Sequence, residues 1–230
     1  MHTLIKRGTP YNIKTNNKHK MDLDDYINLH TTNEDNVLKD LRRKTNLHTT
    51  MPRQLSGPMQ GKLLEMLSIM INPKNILEIG TFTGYSAYCL QKGLQDGGKM
   101  VTIEIKDELE DHILDFFNRA GITQKMELVI ADAAEYLKND KRQYDLIFID
   151  GDKRQYPQYY TLSMERLRLG GYMLIDNVLW SGKVLEHQPE NDHYTQGVMQ
   201  LNDMVQADPR VQNVLIPIRD GLTLIRKLSN

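Results

Sequence analysis

Carboxylates recur along this chain wherever a short apolar run ends. Glu78 lies in the run N-I-L-E-I at 75–79, just ahead of Gly80 and Thr81, and Glu104 closes M-V-T-I-E at 100–104. Asp132 follows M-E-L-V-I at 126–130, Asp150 and Asp152 follow Y-D-L-I-F-I at 144–149, and Asp176 with Asn177 follows G-Y-M-L-I at 171–175. Acidic residues in such places commonly serve as helix caps and turn formers. In an open parallel sheet, however, ligands bind beyond the carboxyl ends of the strands, so successive strands would deliver acid groups to one rim.

These residues fall into two groups with different chemistry. Gly80 and Gly84, spaced G-x-x-x-G, make a tight loop that brings bare backbone up to a ligand, and the helix that follows aims its first N–H groups at the same place. The spacing departs from the G-x-G-x-x-G that cradles a pyrophosphate. Glu78 beside the loop would repel phosphate but could receive an ammonium, so a zwitterionic amino-acid moiety fits. Glu104 can accept both hydroxyls of a ribose, and Asp132 the exocyclic amine of adenine, with Ala133 adding a backbone contact. The ligand expected is adenosine joined to an amino acid. Ser86 is expected to cap the loop helix and meet the carboxylate of that ligand.

The second group is Asp150-Gly151-Asp152-Lys153 together with Asp176-Asn177. Adjacent strand ends would gather Asp150, Asp176 and Asn177 as three oxygen donors, a hard set that suits Mg²⁺ and argues against structural zinc. An octahedron would keep open positions for a substrate with two adjacent oxygens. Trp180, Tyr156 and Tyr160 are candidates for the wall of an aromatic pocket, with core packing as the alternative. The seven histidines show no metal-ligand spacing.

The elements that must position these residues alternate strand and helix, the pattern of a doubly wound α/β sheet. Thr32-Asn33-Glu34-Asp35 resembles a capping box for a helix reaching about Asn46, and Pro58 suits the first turn of a helix with Leu63, Leu67 and Ile71 on one face. Another helix, after Asp107, would bury Leu109, Ile113, Phe116 and Ala120. Residues 133–137 and 157–167 also read as helical. Near the end, strand-like runs at 211–218 and 222–226 are joined by Arg219-Asp220-Gly221. Asp-Gly favours a hairpin, so the last strand should be reversed.

Composition bounds the rest. The 230 residues allow one domain, taken as 21–230 with helices at its start, preceded by a flexible basic arm at 1–20 that holds Lys6, Arg7, Lys14, Lys18 and Lys20 and no acid. A net charge of −1 gives no broad field for nucleic acid or membrane, although the arm itself would suit RNA. The single Cys89 fits a reducing compartment, and no apolar run nears the roughly 20 residues of a bilayer span. Without a signal-peptide pattern, a soluble cytoplasmic protein is expected.

The run L-E-I-G-T-F-T-G-Y-S at 77–86 resembles the first motif of class I S-adenosylmethionine (SAM)-dependent methyltransferases. F-I-D-G-D-K at 148–153 and I-D-N-V-L-W-S-G at 175–182 are similar to the metal-binding segments of the cation-dependent O-methyltransferases, which include catechol and caffeoyl-CoA methyltransferases. The likeness covers roughly Met21 to Leu228. It implies a seven-stranded sheet with one reversed strand, and SAM held by Ser56, Glu78, Gly80, Thr81, Ser86, Glu104, Asp132, Ala133, Asp150 and Asp152. It also implies Mg²⁺ or a similar ion on Asp150, Asp176 and Asn177, and a homodimer with the N-terminal helix at the contact.

Lys153 stands where the catecholic relatives place a catalytic lysine, working beside Asp150. As a neutral amine, with its pKa lowered by burial or by the cation, it would take the proton of a substrate hydroxyl, and the oxyanion would attack the sulfonium methyl in line. As an ammonium it would instead anchor that oxyanion. The expected acceptor is a small aromatic molecule with vicinal hydroxyls, of catechol or caffeoyl type. Alternatives are a hydroxylated uridine in transfer RNA, for which only the basic arm speaks, and a non-catalytic module binding adenosine or a partner. An NAD-dependent dehydrogenase is disfavoured by the glycine spacing and the terminal hairpin.

Overall fold

The computed structural model describes residues 21–49, 52–186 and 191–230. The chain runs α1 (Leu23–Leu29), α2 (Asn36–His48), α3 (Gly57–Ile71), β1 (Asn75–Ile79), α4 (Tyr85–Gln91), β2 (Lys99–Glu104), α5 (Glu110–Arg119) and β3 (Met126–Ile130). It continues through α6 (Ala133–Asn139), β4 (Tyr144–Ile149), α7 (Tyr156–Arg166), β5 (Leu167–Asp176), α8 (His193–Ala207), β6 (Val211–Ile216) and β7 (Leu222–Lys227).

Side-chain alternation within the strands decides the layers. Ile76, Leu146, Phe148 and Leu174 pack with residues of α2 to α5, whereas Leu77, Ile79, Ile147, Ile149 and Ile175 pack with α6, α7 and α8. Strands buried on both faces need helices on both sides, and the continuous apolar run of β4 places it in the middle. The seven strands stand in the order β3-β2-β1-β4-β5-β7-β6. β1 to β5 pair in parallel, and β7 runs antiparallel to both of its neighbours, as the Asp-Gly hairpin requires. The order reverses between β1 and β4, which leaves a crevice beyond their carboxyl ends.

Two local expectations are corrected. Thr32 does not open a capping box: Asp35 is the N-cap of α2, its carboxylate accepting from the Leu38 amide at 2.9 Å. Glu34 turns inward to the Tyr85 hydroxyl at 2.6 Å. Ser86 does not cap α4, whose N-cap is Gly84, but sits inside its first turn. Helix α8 falls outside the sequence-based pattern, because its first turn is polar and Gly197 interrupts it. That glycine is needed: a Cβ there would lie 2.2 Å from the Lys153 carbonyl oxygen, so α8 can rest on the Lys153 turn only without one. The basic arm at 1–20 lies outside the described residues. Among the described residues no helix is long and apolar enough to cross a membrane.

Candidate active site

The carboxyl ends of β1 to β5 open into one cavity of about 760 Å³. Ser56, Gly80, Thr81, Ser86, Glu104, Ala133, Asp150, Asp152, Lys153, Asp176 and Asn177 all line it. Glu78 and Asp132 do not. Asp132 serves as N-cap of α6, one carboxylate oxygen accepting from the Glu135 amide at 3.0 Å.

On the β1–β3 side the backbone does most of the holding. Gly80, at φ 99°, donates its N–H to the Ile103 carbonyl at 2.9 Å. A Cβ on Gly80 would meet the Asp150 carbonyl oxygen at 2.3 Å, and one on Gly84 the rings of Phe116 and Phe117 at 3.0 Å. The space these glycines leave is therefore filled by the protein's own chain and not kept for a ligand. Glu104 is fixed by three amides: Oε2 accepts from Phe82 at 2.8 Å, and Oε1 from Ile105 at 3.1 Å and Lys106 at 3.0 Å. A carboxylate has about four acceptor sites, so Oε2 keeps capacity for a ligand hydroxyl.

Glu78 sits behind this wall, fully buried, with Oε2 accepting from the Thr102 hydroxyl at 2.5 Å. That hydroxyl also meets the Thr81 hydroxyl at 2.5 Å. Oε1 has no hydrogen-bond partner. Burial pushes the Glu78 carboxyl up to about 8, the Ser86 and Thr102 hydroxyls pulling against it and the Asp150 and Glu104 charges adding to it. An ammonium brought to this spot would satisfy the orphaned oxygen and restore the charge. Asp152 is held below the usual carboxylate range by its pairing with Arg154.

On the β4–β5 side charge is crowded. Ile149 and Ile175 are in register, so Asp150 and Asp176 leave neighbouring strands side by side. Asp176 is buried; its Oδ1 accepts from the Asn177 amide at 2.8 Å and its Oδ2 from Gln60 Nε2 at 2.6 Å. Burial, and then the charge of Asp150, push the Asp176 carboxyl up to about 6. Asn177 stands at φ 57°, a left-handed conformation that asparagine tolerates better than most residues. Among the described residues no three His, Cys, Asp or Glu side chains converge as a metal-ligand cluster, so a cation here would rest on two carboxylates and one amide. That set is all oxygen, which fits a hard divalent ion.

Lys153 is buried, its Nζ donating to Asp150 Oδ1 at 2.8 Å and to the Gly151 carbonyl at 3.2 Å. The ammonium also faces the rings of Tyr156 at 5.0 Å and Trp180 at 6.0 Å. Burial works to lower its pKa, but the Asp150 carboxylate and Tyr156 outweigh burial and hold it above the usual lysine range. The lowered pKa that a lysine base requires is thus replaced by a retained charge. Of the three aromatic candidates only Trp180 lines the cavity, stacked on Tyr194 with ring centroids 6.2 Å apart. Tyr156 and Tyr160 belong to the core, their hydroxyls donating to the Asp176 carbonyl and the Asp208 carboxylate, each at 2.9 Å.

Comparison with known proteins decides the family. The model of a family described as O-methyltransferase matches residues 28–228. The chain belongs to the O-methyltransferase family. It is similar to a probable caffeoyl-CoA O-methyltransferase 2 of Dictyostelium discoideum, 33% identical over 205 residues that cover 87% of this chain and 89% of the relative. Among solved structures it resembles the O-methyltransferase from Bacillus cereus in complex with SAH, with a TM-score of 0.83, 28% identity, and coverage of 89% of this chain and 96% of that one. It also resembles the O-methyltransferase TomG from Streptomyces achromogenes, involved in tomaymycin synthesis and solved with SAM. That match has a TM-score of 0.82, 27% identity, and coverage of 90% and 96%.

In this O-methyltransferase several cavity residues escape the sequence pattern, among them Tyr159, Tyr194 and Arg219, joined by Gln60 just behind the wall. Gln60 left one signal. It lies four residues before the buried Leu64 and eight before the buried Ser68, so a polar side chain occupies the core stripe of α3.

Proposed function

We propose that this O-methyltransferase takes a methyl group from SAM and places it on one hydroxyl of a small aromatic diol of catechol or caffeoyl type, with the help of a divalent cation. The observation that carries the reading is the meeting, in one cavity, of a set suited to a nucleoside and amino acid with an all-oxygen set suited to a hard cation. The SAM- and SAH-bound relatives and the caffeoyl-CoA relative support it.

SAM would supply an electrophilic sulfonium methyl, its ribose taken by Glu104, its adenine lodged near Ala133 and its ammonium directed towards the orphaned Glu78 oxygen. A divalent cation on Asp150, Asp176 and Asn177 would lower the pKa of an acceptor hydroxyl, so that its proton would pass to solvent water while the methyl leaves the sulfonium for the oxygen. The chain's own work is then to orient and to hold charge. The Lys153 ammonium, fixed by Asp150 and shielded by Tyr156 and Trp180, stabilises negative charge as it develops on the acceptor oxygen. Trp180 and Tyr194 offer the aromatic face against which the acceptor ring lies. Exposed Leu23, Tyr26 and Leu29 on α1 support assembly as a homodimer through the N-terminal helix.

The test is a methyl-transfer assay with catechols and caffeoyl thioesters, run with Mg²⁺ and with a chelator. Methylated diol formed only in the presence of the cation is expected. Turnover untouched by the chelator overturns the cation's part, and SAM uptake without turnover on any diol overturns the acceptor class.

A further inference from the structure

Behind Asp176 runs a line of polar contacts that lining the cavity does not explain. Gln60, in the first turn of α3, is 1% exposed, and its amide stands between an acid and a base. Nε2 donates to Asp176 Oδ2 at 2.6 Å, and Oε1 accepts from Arg219 Nη1 at 2.8 Å. The same guanidinium nitrogen donates to the Ser56 carbonyl. The two ends of an amide have nearly the same shape, but chemistry assigns them here. A guanidinium has no acceptor, so it can face only Oε1, and Nε2 is left for the carboxylate. Arg219 therefore sets the orientation of Gln60, and Gln60 supplies a donor to the Asp176 oxygen that the Asn177 amide does not use.

Arg219 occupies the turn between β6 and β7 at φ 50°, a conformation that costs a residue with a Cβ and persists where its surroundings compel it. The same turn is tied to the chain that follows Asp176. Val178 donates its amide to the Gly221 carbonyl at 3.3 Å, Leu179 to the Asp220 carbonyl at 2.8 Å, and Ser181 to the Asp220 side chain. The hairpin thus holds the chain at Val178, Leu179 and Ser181, just after the Asp176–Asn177 pair, while Arg219 reaches Asp176 through Gln60.

We propose that Arg219 and Gln60 form a relay that positions Asp176 to receive a divalent cation; the proposal rests on the cation reading given above. Each Asp176 oxygen has one donor from the protein and retains lone-pair capacity, while rotation of the carboxylate is blocked from both ends. Neither Gln60 nor Arg219 is a ligand. Both are positioning residues.

The test is a Mn²⁺ titration of the full chain without methyl donor or acceptor, read from the free-ion signal in electron paramagnetic resonance. Gln60→Leu is expected to weaken Mn²⁺ binding about 10- to 100-fold, the usual cost of losing an outer-shell partner. Arg219→Gly installs the residue that prefers positive φ, so its melting temperature should hold or rise while Mn²⁺ binding weakens about tenfold. A merely structural role would move stability and affinity in the same direction. Because both changes act along one path, the double variant should bind no more weakly than Gln60→Leu alone. Wild-type affinity in Arg219→Gly, or additive losses in the double variant, overturns the relay and leaves the cation site standing. Wild-type protein that takes up no Mn²⁺ overturns the cation reading and the relay with it.

Discussion

Burial raises a carboxyl on each side of the cavity, but by different amounts. Beside β1 and β2, Glu78 has only hydroxyl partners, and burial leaves it with a proton up to about 8. Beside β4 and β5, Asp150 is paired with the Lys153 ammonium and Asp176 takes a donor from Gln60, so Asp176 rises only to about 6. Burial without a counter-charge favours the neutral acid, whereas burial next to cations and N–H donors keeps the charge. Backbone strain follows the same division. Asn177, Trp180 and Ser181 all have positive φ on the β5 side, while on the β1 side Gly80 and Gly84 take most of the left-handed positions and Phe82 the remaining one. In the proposed reaction the β4–β5 side is the half that works on a ligand, and the β1–β3 side the half that holds one.

Breaking the charged side should have the largest effect. Asp176→Ala removes a proposed cation ligand outright, and turnover should fall by more than the roughly 100-fold that loss of an outer-shell partner can cost. Steady-state rates across a Mg²⁺ series would show it, and a normal rate at ordinary Mg²⁺ would erase the contrast between the two sides. Next comes Lys153→Met, expected to lower kcat about 100-fold while leaving SAH affinity close to wild type, because the ammonium acts on charge that appears late. A kcat within a few-fold of wild type would remove Lys153 from the chemistry.

The neutral side is sharpened through stability. Folded Glu78 keeps its proton up to about 8, against 4.5 as its ordinary value, so between those limits the folded state binds more protons than the unfolded one. Its contribution to stability accordingly falls as pH rises through that window. Glu78→Gln is expected to match wild type in acid and to melt higher by alkaline pH, each 1 kcal/mol being worth about 2–4 °C in a chain of this size. Equal melting curves at every pH would mean that the carboxyl is not held neutral. The smallest change expected is at Asp132. As an N-cap it should cost about 1 kcal/mol when replaced by Ala, with little change in SAH affinity. A tenfold weaker SAH would reinstate the contact with adenine.

Much of the fold was legible because its signals are local. The apolar run of β4, the Asp-Gly turn before β7 and the glycine loop after β1 each act through neighbours in the chain, and they led to the observed sheet and its reversed strand. The carboxylate rim followed from position alone, since whatever follows a parallel strand lies at its carboxyl edge. Helix α8 was harder to read, for its buried stripe of Val198, Leu201 and Val205 begins only after Gly197. The reason for that glycine is the Lys153 carbonyl 44 positions earlier, a contact with no trace in local pattern.

What the chain alone determined is the class of fold, the edge of the sheet on which polar chemistry gathers and the oxygen character of the set around Asp150, Asp176 and Asn177. Periodicity and residue type suffice for these, because they depend on a few adjacent positions. Tertiary structure decided the protonation of Glu78, the retained charge of Lys153 and the partners of Asp176. Gln60 meets Asp176 across 116 positions and Arg219 across 159. A pKa or a buried hydrogen bond is set by everything packed around it, and only the folded chain brings those groups together.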